Sequence, residues 1–218
     1  MSTEFFNDQW RIPSNENQNK VSNYSMDFDG SVDYVRINSN TFLQPSEAEL
    51  NSNGYSVSAW IKIDSSLTSE VGIFANDGLV QTAKIYGLEF SINTTRTLRM
   101  RKGDGTGRFS ADIRSAVTAE TVPINAWTHV TFVLPSANEN TWQIYINGVA
   151  GTMNVGGSGG AVGYSGVYPG GIGRIRFQYF VGQIDQVTVF DYALSASQVS
   201  TLYGGGTAIT NPMSLSPK

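Results

Sequence analysis

The sequence predicts an all-β protein, built as two packed antiparallel sheets with one short C-terminal helical turn, and three observations support this. Charged residues make up only 15% of the chain while glycine reaches 23 residues and aromatics 11%. Such a composition suits short strands and tight turns better than helices rich in Glu, Lys and Ala. Apolar and polar residues alternate with period two in several segments, which marks strands with one buried face. Turn residues punctuate those segments, most clearly Asn147-Gly148, because both residues tolerate positive φ. A chain of 218 residues forms a sandwich of this kind as one domain.

Along the chain, residues 1–22 are polar, with Phe5, Phe6, Trp10 and Ile12 scattered among them, and are expected to be an arm. The domain proper is expected over 23–203, followed by a glycine-rich tail over 204–218. Tyr24, Met26 and Phe28 fall on one face of an extended segment, with Ser25, Asp27 and Asp29 on the other. Tyr55, Val57, Ala59, Ile61 and Ile63 share a face, as do Tyr86, Leu88, Phe90 and Ile92. Val130, Phe132 and Leu134 mark a further strand, and Trp142–Ile146 leads into the Asn147-Gly148 hairpin. Lys102–Gly107 reads as a second reversal or a flexible loop, and Gly156–Gly160 opens a glycine-rich loop running towards Gly171. Ser195 followed by Gln198 forms a capping box, and Gly204 ends the helix it starts. No repeat of fixed period occurs, which disfavours propellers and solenoids.

Several functions are excluded or disfavoured by composition. The net charge of -4 offers no broad positive field for nucleic acid or an anionic membrane. With no cysteine, a disulfide framework, thiolate metal sites and a cysteine nucleophile are all ruled out. No apolar run approaches the roughly 20 residues of a membrane span, and the first residues lack a basic start and apolar stretch, so no signal peptide is expected.

Four segments in order resemble the laminin G-like family of the concanavalin A-like lectin/glucanase superfamily. They are Met26–Val35, with its F-D-G and D-Y-V pieces; Val57–Lys62, with Trp60; Trp127–Val130 joined to Ile144–Gly148; and Gly182–Val187 continuing to Ala193-Leu194-Ser195. The resemblance spans about Tyr24 to Tyr203. It implies a concanavalin A-like jelly-roll β-sandwich, consistent with the alternation already described. It implies less about activity, since the superfamily hosts lectins, adhesion modules, hydrolases and structural domains.

The candidate chemistry is sparse. Glycoside hydrolysis needs two carboxylates across one bond, and no Glu-x-Asp-x-x-Glu cluster occurs. Glu89 stands alone on its strand, and Glu47 with Glu49 falls in a segment that reads as a loop, so solvated carboxylates and no enzyme activity are expected. His129 is the single histidine and reads as a hydrogen-bonded structural residue. Gly103-x-Gly105-x-Gly107 lacks the lysine and following helix of a phosphate loop. Asp185 is expected to share a face with Val187 and Val189, and a carboxylate turned to a core needs a partner. The resemblance implies one structural calcium ion held by Asp29, Asp33 and Asp185; a hydrogen-bonded aspartate in a tight turn is the alternative. Arg96, Arg99, Arg101, Lys102 and Arg108 concentrate positive charge. Arg99 and Arg101 would meet acidic sugars or an acidic protein neighbour, or merely form a solvated strand face. Tyr164, Tyr168 and Tyr179 are the candidate aromatic contacts for a glycan or partner.

Two functions follow. The first is a non-catalytic binding module for surface recognition or adhesion, directed at glycans. The second is a phage virion structural protein, a capsid decoration or fibre component whose arms, through Phe5, Phe6 and Trp10, contact neighbouring subunits. Both place the protein on a virion or extracellular surface, with glycans or other surface proteins as partners.

Overall fold

The architecture follows from which face of each strand is apolar. The computed structural model describes residues 25–38, 43–77, 85–105, 114–157, 160–166 and 168–204. The arm residues Phe5, Phe6 and Trp10, together with Tyr24, Arg108 and the tail beyond Gly204, lie outside the described residues.

One sheet has six strands, ordered β1 (Met26–Asp29), β15 (Val181–Phe190), β3 (Tyr55–Ile63), β8 (Thr128–Leu134), β9 (Gln143–Ile146) and β10 (Val149–Ala150). The other has seven: β11 (Met153–Gly156), β7 (Arg114–Thr121), β6 (Thr97–Lys102), β5 (Leu88–Ile92), β4 (Val71–Ala75), β12 (Gly170–Ile172) and β2 (Val35–Ile37). A small hairpin, β13 (Arg174–Ile175) and β14 (Gln178–Tyr179), stands between β12 and β15. The pairings between these strands are antiparallel.

Period-two alternation supplies the core. Val57, Ala59, Ile61 and Ile63 of β3 and Val130, Phe132 and Leu134 of β8 are buried on one inner face. Leu88, Phe90 and Ile92 of β5 with Leu98 and Met100 of β6 line the other. Phe90 and Phe132 meet across the sandwich with ring centroids 5.0 Å apart, so the two sheets are joined by direct aromatic packing. Asn147 (φ 50) and Gly148 (φ 77) both take positive φ between β9 and β10, the two-residue turn expected from the sequence.

Two helices flank the sheets. The predicted one, α2 (Ala196–Tyr203), starts at the Ser195/Gln198 capping box and ends on left-handed Gly204. It covers the outer face of the six-stranded sheet, where Val199 packs with Val133, Phe190 and Leu194. The other, α1 (Glu47–Asn53), corrects an expectation: Glu47 and Glu49 lie in a helix, not a loop, capped reciprocally by Ser46 and Glu49. Its Leu50 is fully buried.

The β13–β14 hairpin lies on the outer face of the seven-stranded sheet. Gly72 pairs with Ser91, which faces outward between the core residues Phe90 and Ile92. A Cβ at Gly72 would stand 2.3 Å from the backbone nitrogen of Ile175. Glycine at 72 is therefore what allows the hairpin to rest on the sheet.

Candidate functional site

The outward-facing residues under that hairpin are charged and buried. Register places Glu89 of β5 opposite Arg101 of β6, and Ser91 opposite Arg99. Glu70 enters just before β4, and Arg176 reaches in from the hairpin tip. One Glu70 oxygen accepts from Ser91 Oγ at 2.6 Å and contacts Arg101 Nη1 at 2.6 Å. The other accepts from Arg101 Nη2 at 2.8 Å and Arg176 Nη2 at 3.3 Å. Glu89 faces Arg176 Nε at 3.3 Å and Arg101 Nη1 at 3.7 Å, and neither contact is a hydrogen bond.

This geometry separates the two carboxyls. Burial pushes Glu89 up to about 7, against the pull of Arg176 and Arg101. Burial also acts on Glu70, but the hydrogen bond and charge of Arg101, with Ser91 and Arg176, outweigh it and hold Glu70 below its ordinary value. The sequence reading of Glu89 as a solvated carboxylate is thus corrected: it is completely enclosed. Arg101 is corrected too, being buried and ion-paired rather than exposed. Arg99 keeps 28% of its side chain exposed.

A second cluster forms where the glycine-rich loop meets the ends of β4 and β5. Ser165 donates from both its backbone nitrogen and its hydroxyl to the Asp77 carboxylate, and Tyr168 N donates to Ser165 Oγ at 3.0 Å. Burial raises the Asp77 pKa against these hydrogen bonds. The chain thereby holds Tyr168 beside Tyr86, ring centroids 5.5 Å apart, both half-exposed. Tyr86 was assigned by alternation to the core face; instead Gly87 takes φ 60 and the strand begins only at Leu88.

The other two candidate tyrosines are occupied. Tyr164 packs over Gly87 and donates its hydroxyl to Pro45 O at 2.9 Å, while Asn76 Nδ2 lies 3.4 Å from the same hydroxyl. Tyr179 and Tyr34 clasp the Arg174 guanidinium, each ring centroid 4.8 Å from it, a cation–π contact made within the chain.

The three candidate calcium ligands do not converge. Asp29 and Asp33 share an exposed turn, in which the Asp29 carboxylate accepts from Ser31 N, Ser31 Oγ, Val32 N and Asp33 N. Those bonds, the Ser31 hydroxyl first, hold Asp29 well below the usual carboxylate range. Asp29 pairs with Val181, and Asp185 stands four residues further on, roughly 13 Å along the strand. Asp185 also departs from its expected face. A bulge at Gln186 (φ 49) shifts the register, so Asp185 lies opposite Trp60 on the outer face while Val187 and Val189 pack against the core. Such a bulge flips the alternation on one side of it. Among the described residues no three His, Asp or Glu side chains cluster as a metal site, and these residues do not fit the ion.

His129 sits on the same outer face as Trp60 and forms a three-ring cluster with Trp60 at 5.2 Å and Tyr203 at 6.0 Å, those two rings being 5.8 Å apart. Burial lowers its pKa to about 4. It joins α2 to the sheet.

The sequence profile of Laminin_G_3, described as concanavalin A-like lectin/glucanases superfamily, matches residues 29–200. The chain belongs to this family. Its sandwich is similar in fold to the CBM40 of the Ruminococcus gnavus IT-sialidase solved bound to α2,3-sialyllactose, at TM-score 0.57 and 11% identity, covering 83% of this chain and 98% of that one. It is also similar to a native heptameric SAP-like pentraxin from Limulus polyphemus, at TM-score 0.51 and 19% identity, covering 82% and 81%. A third likeness is the binding domain of Paraclostridial Mosquitocidal Protein 1, at TM-score 0.54 and 18% identity, covering 86% of this chain and 47% of that one. Among curated proteins none matches. These likenesses are of fold, and a shared fold does not fix function.

Proposed function

We propose that this laminin G-like domain is a non-catalytic glycan-binding module whose contact surface includes Tyr86 and Tyr168. The observation that carries the reading is the half-exposed ring pair, 5.5 Å between centroids, held by the Asp77–Ser165 hydrogen bonds at a loop rim. A pyranose offers an apolar face to such rings and hydroxyls to neighbouring polar groups. The kinship with lectin-like domains and the sugar-bound CBM40 of similar fold support a glycan as ligand. Catalysis is not part of the proposal, because Glu89 is sealed beneath arginines and Glu70 is engaged by Arg101, Arg176 and Ser91. A hydrolase needs both carboxyls open to the bond.

The test is a glycan array probed with the intact protein and with Tyr86→Ala, Tyr168→Ala and the double variant. The expected result is binding by the parent and roughly tenfold or greater loss in each variant, with unchanged melting. Equal binding by the double variant would remove these residues from the contact surface.

A further inference from the structure

Charge bookkeeping under the β13–β14 hairpin leaves one cation over. Glu70 accepts three hydrogen bonds, from Ser91 Oγ, Arg101 Nη2 and Arg176 Nη2, and Arg101 Nη1 lies against it at 2.6 Å without a hydrogen bond. Arg99 Nη1 stands 3.6 Å from the same group, outside hydrogen-bonding distance, and Arg99 Nε has no partner. Glu89, the remaining carboxyl, is turned to Arg101 and Arg176 rather than Arg99. Burial followed by the neighbouring Arg101 charge disfavours the charged form of Arg99, so an added anion is what this position lacks. Arg99 also has the most exposed side chain of the three, at 28% against 8% for Arg101 and 8% for Arg176.

An apolar surface accompanies it. Phe177, 53% exposed, stands at the hairpin tip next to Arg176, whose guanidinium shares Glu70 with Arg99.

From this arrangement we infer that Arg99 forms an anion-selective subsite for the carboxylate of an acidic sugar, with the exposed Phe177 ring of the overlying hairpin as a platform for the sugar's apolar face. The inference rests on the glycan reading above but on different residues. The planar guanidinium fork matches a carboxylate bidentately.

The test is calorimetric titration of the intact protein with sialyllactose and glucuronic acid, each against its neutral counterpart, lactose and glucose. The expected result is that the acidic member of at least one pair binds roughly tenfold more tightly. Arg99→Gln should erase that preference and Arg99→Lys should restore only part of it, while Phe177→Ala weakens the acidic sugar with its melting temperature unchanged. Equal binding of acidic and neutral sugars, an undiminished preference in Arg99→Gln, or equal competition by inorganic sulfate would overturn the inference. Loss of all binding in the Tyr86 and Tyr168 variants alone, with Arg99 variants unaffected, would overturn it while sparing the rim; the converse pattern would sink the rim and spare Arg99.

Discussion

Replacing Glu70 with alanine is expected to destabilise the domain by about 3–5 kcal/mol, the cost of breaking a buried ion cluster by removing one partner. Glu70 is the shared acceptor for Arg101, Arg176 and Ser91, and without it Arg101 and Arg176 face only Glu89. That carboxyl makes no hydrogen bond to either. The hairpin should loosen, because Arg176 ties its tip to the sheet, leaving the Gly173 N–H bond to Ile73 O at its base and the van der Waals contact of Gly72 beneath Ile175. Urea unfolding of the variant measures the loss, and amide exchange at residues 173–180 locates it. Glu70→Gln keeps the shape and part of the hydrogen bonding, so a smaller loss is expected. A loss below about 1 kcal/mol, the range of exposed pairs, would mean that the cluster is solvated in solution.

The second large effect concerns pH. Burial against Trp60 and Tyr203 holds His129 neutral in the folded state, with its pKa pushed down from 6.5 to about 4. Because the unfolded chain protonates first, stability is full above pH 6.5 and falls as pH drops through 4, by up to about 3 kcal/mol. Glu89 acts in the opposite sense. Its folded pKa is raised from 4.5 to about 7, so its contribution is present below 4.5 and lost as pH rises through 7. The two slopes partly cancel in the parent protein, and a flat curve there decides nothing. The informative quantity is the difference between the parent and His129→Gln, measured by urea unfolding from about pH 7 down to about pH 3.5. The parent should lose more stability over that range than the variant. Parallel curves would mean that His129 titrates like a solvated imidazole.

Much of the fold was legible because period-two alternation is a direct imprint of one-sided burial. Val57, Ala59, Ile61 and Ile63, like Val130, Phe132 and Leu134, sit where their alternation put them. The departures have local physical causes. Gly87 interrupts the backbone before Leu88, which turns Tyr86 out of the pattern, and the Gln186 bulge moves Asp185 to the opposite face. The α1 helix carried the same capping signature as α2, Ser46 followed by Glu49, but buries only Leu50 and so shows no apolar stripe. The candidate site was far less legible. Nothing near Glu89 in sequence reveals that residues 70, 101 and 176 will enclose it, since ion partners on different strands leave no spacing to detect. Tyr168 was singled out from its loop, whereas its companion Tyr86 and the Asp77–Ser165 bonds that place it depend on tertiary contact.

The most direct test of the glycan-binding account is amide chemical-shift mapping of the intact, isotope-labelled protein during titration with an oligosaccharide bound on the array. Shifts are expected to concentrate at Tyr86, Ser165 and Tyr168, reaching Arg99 and Phe177 when the sugar carries a carboxylate. Shifts confined to the outer face of the six-stranded sheet around Trp60 and Asp185, or cleavage of the sugar during the titration, would contradict it.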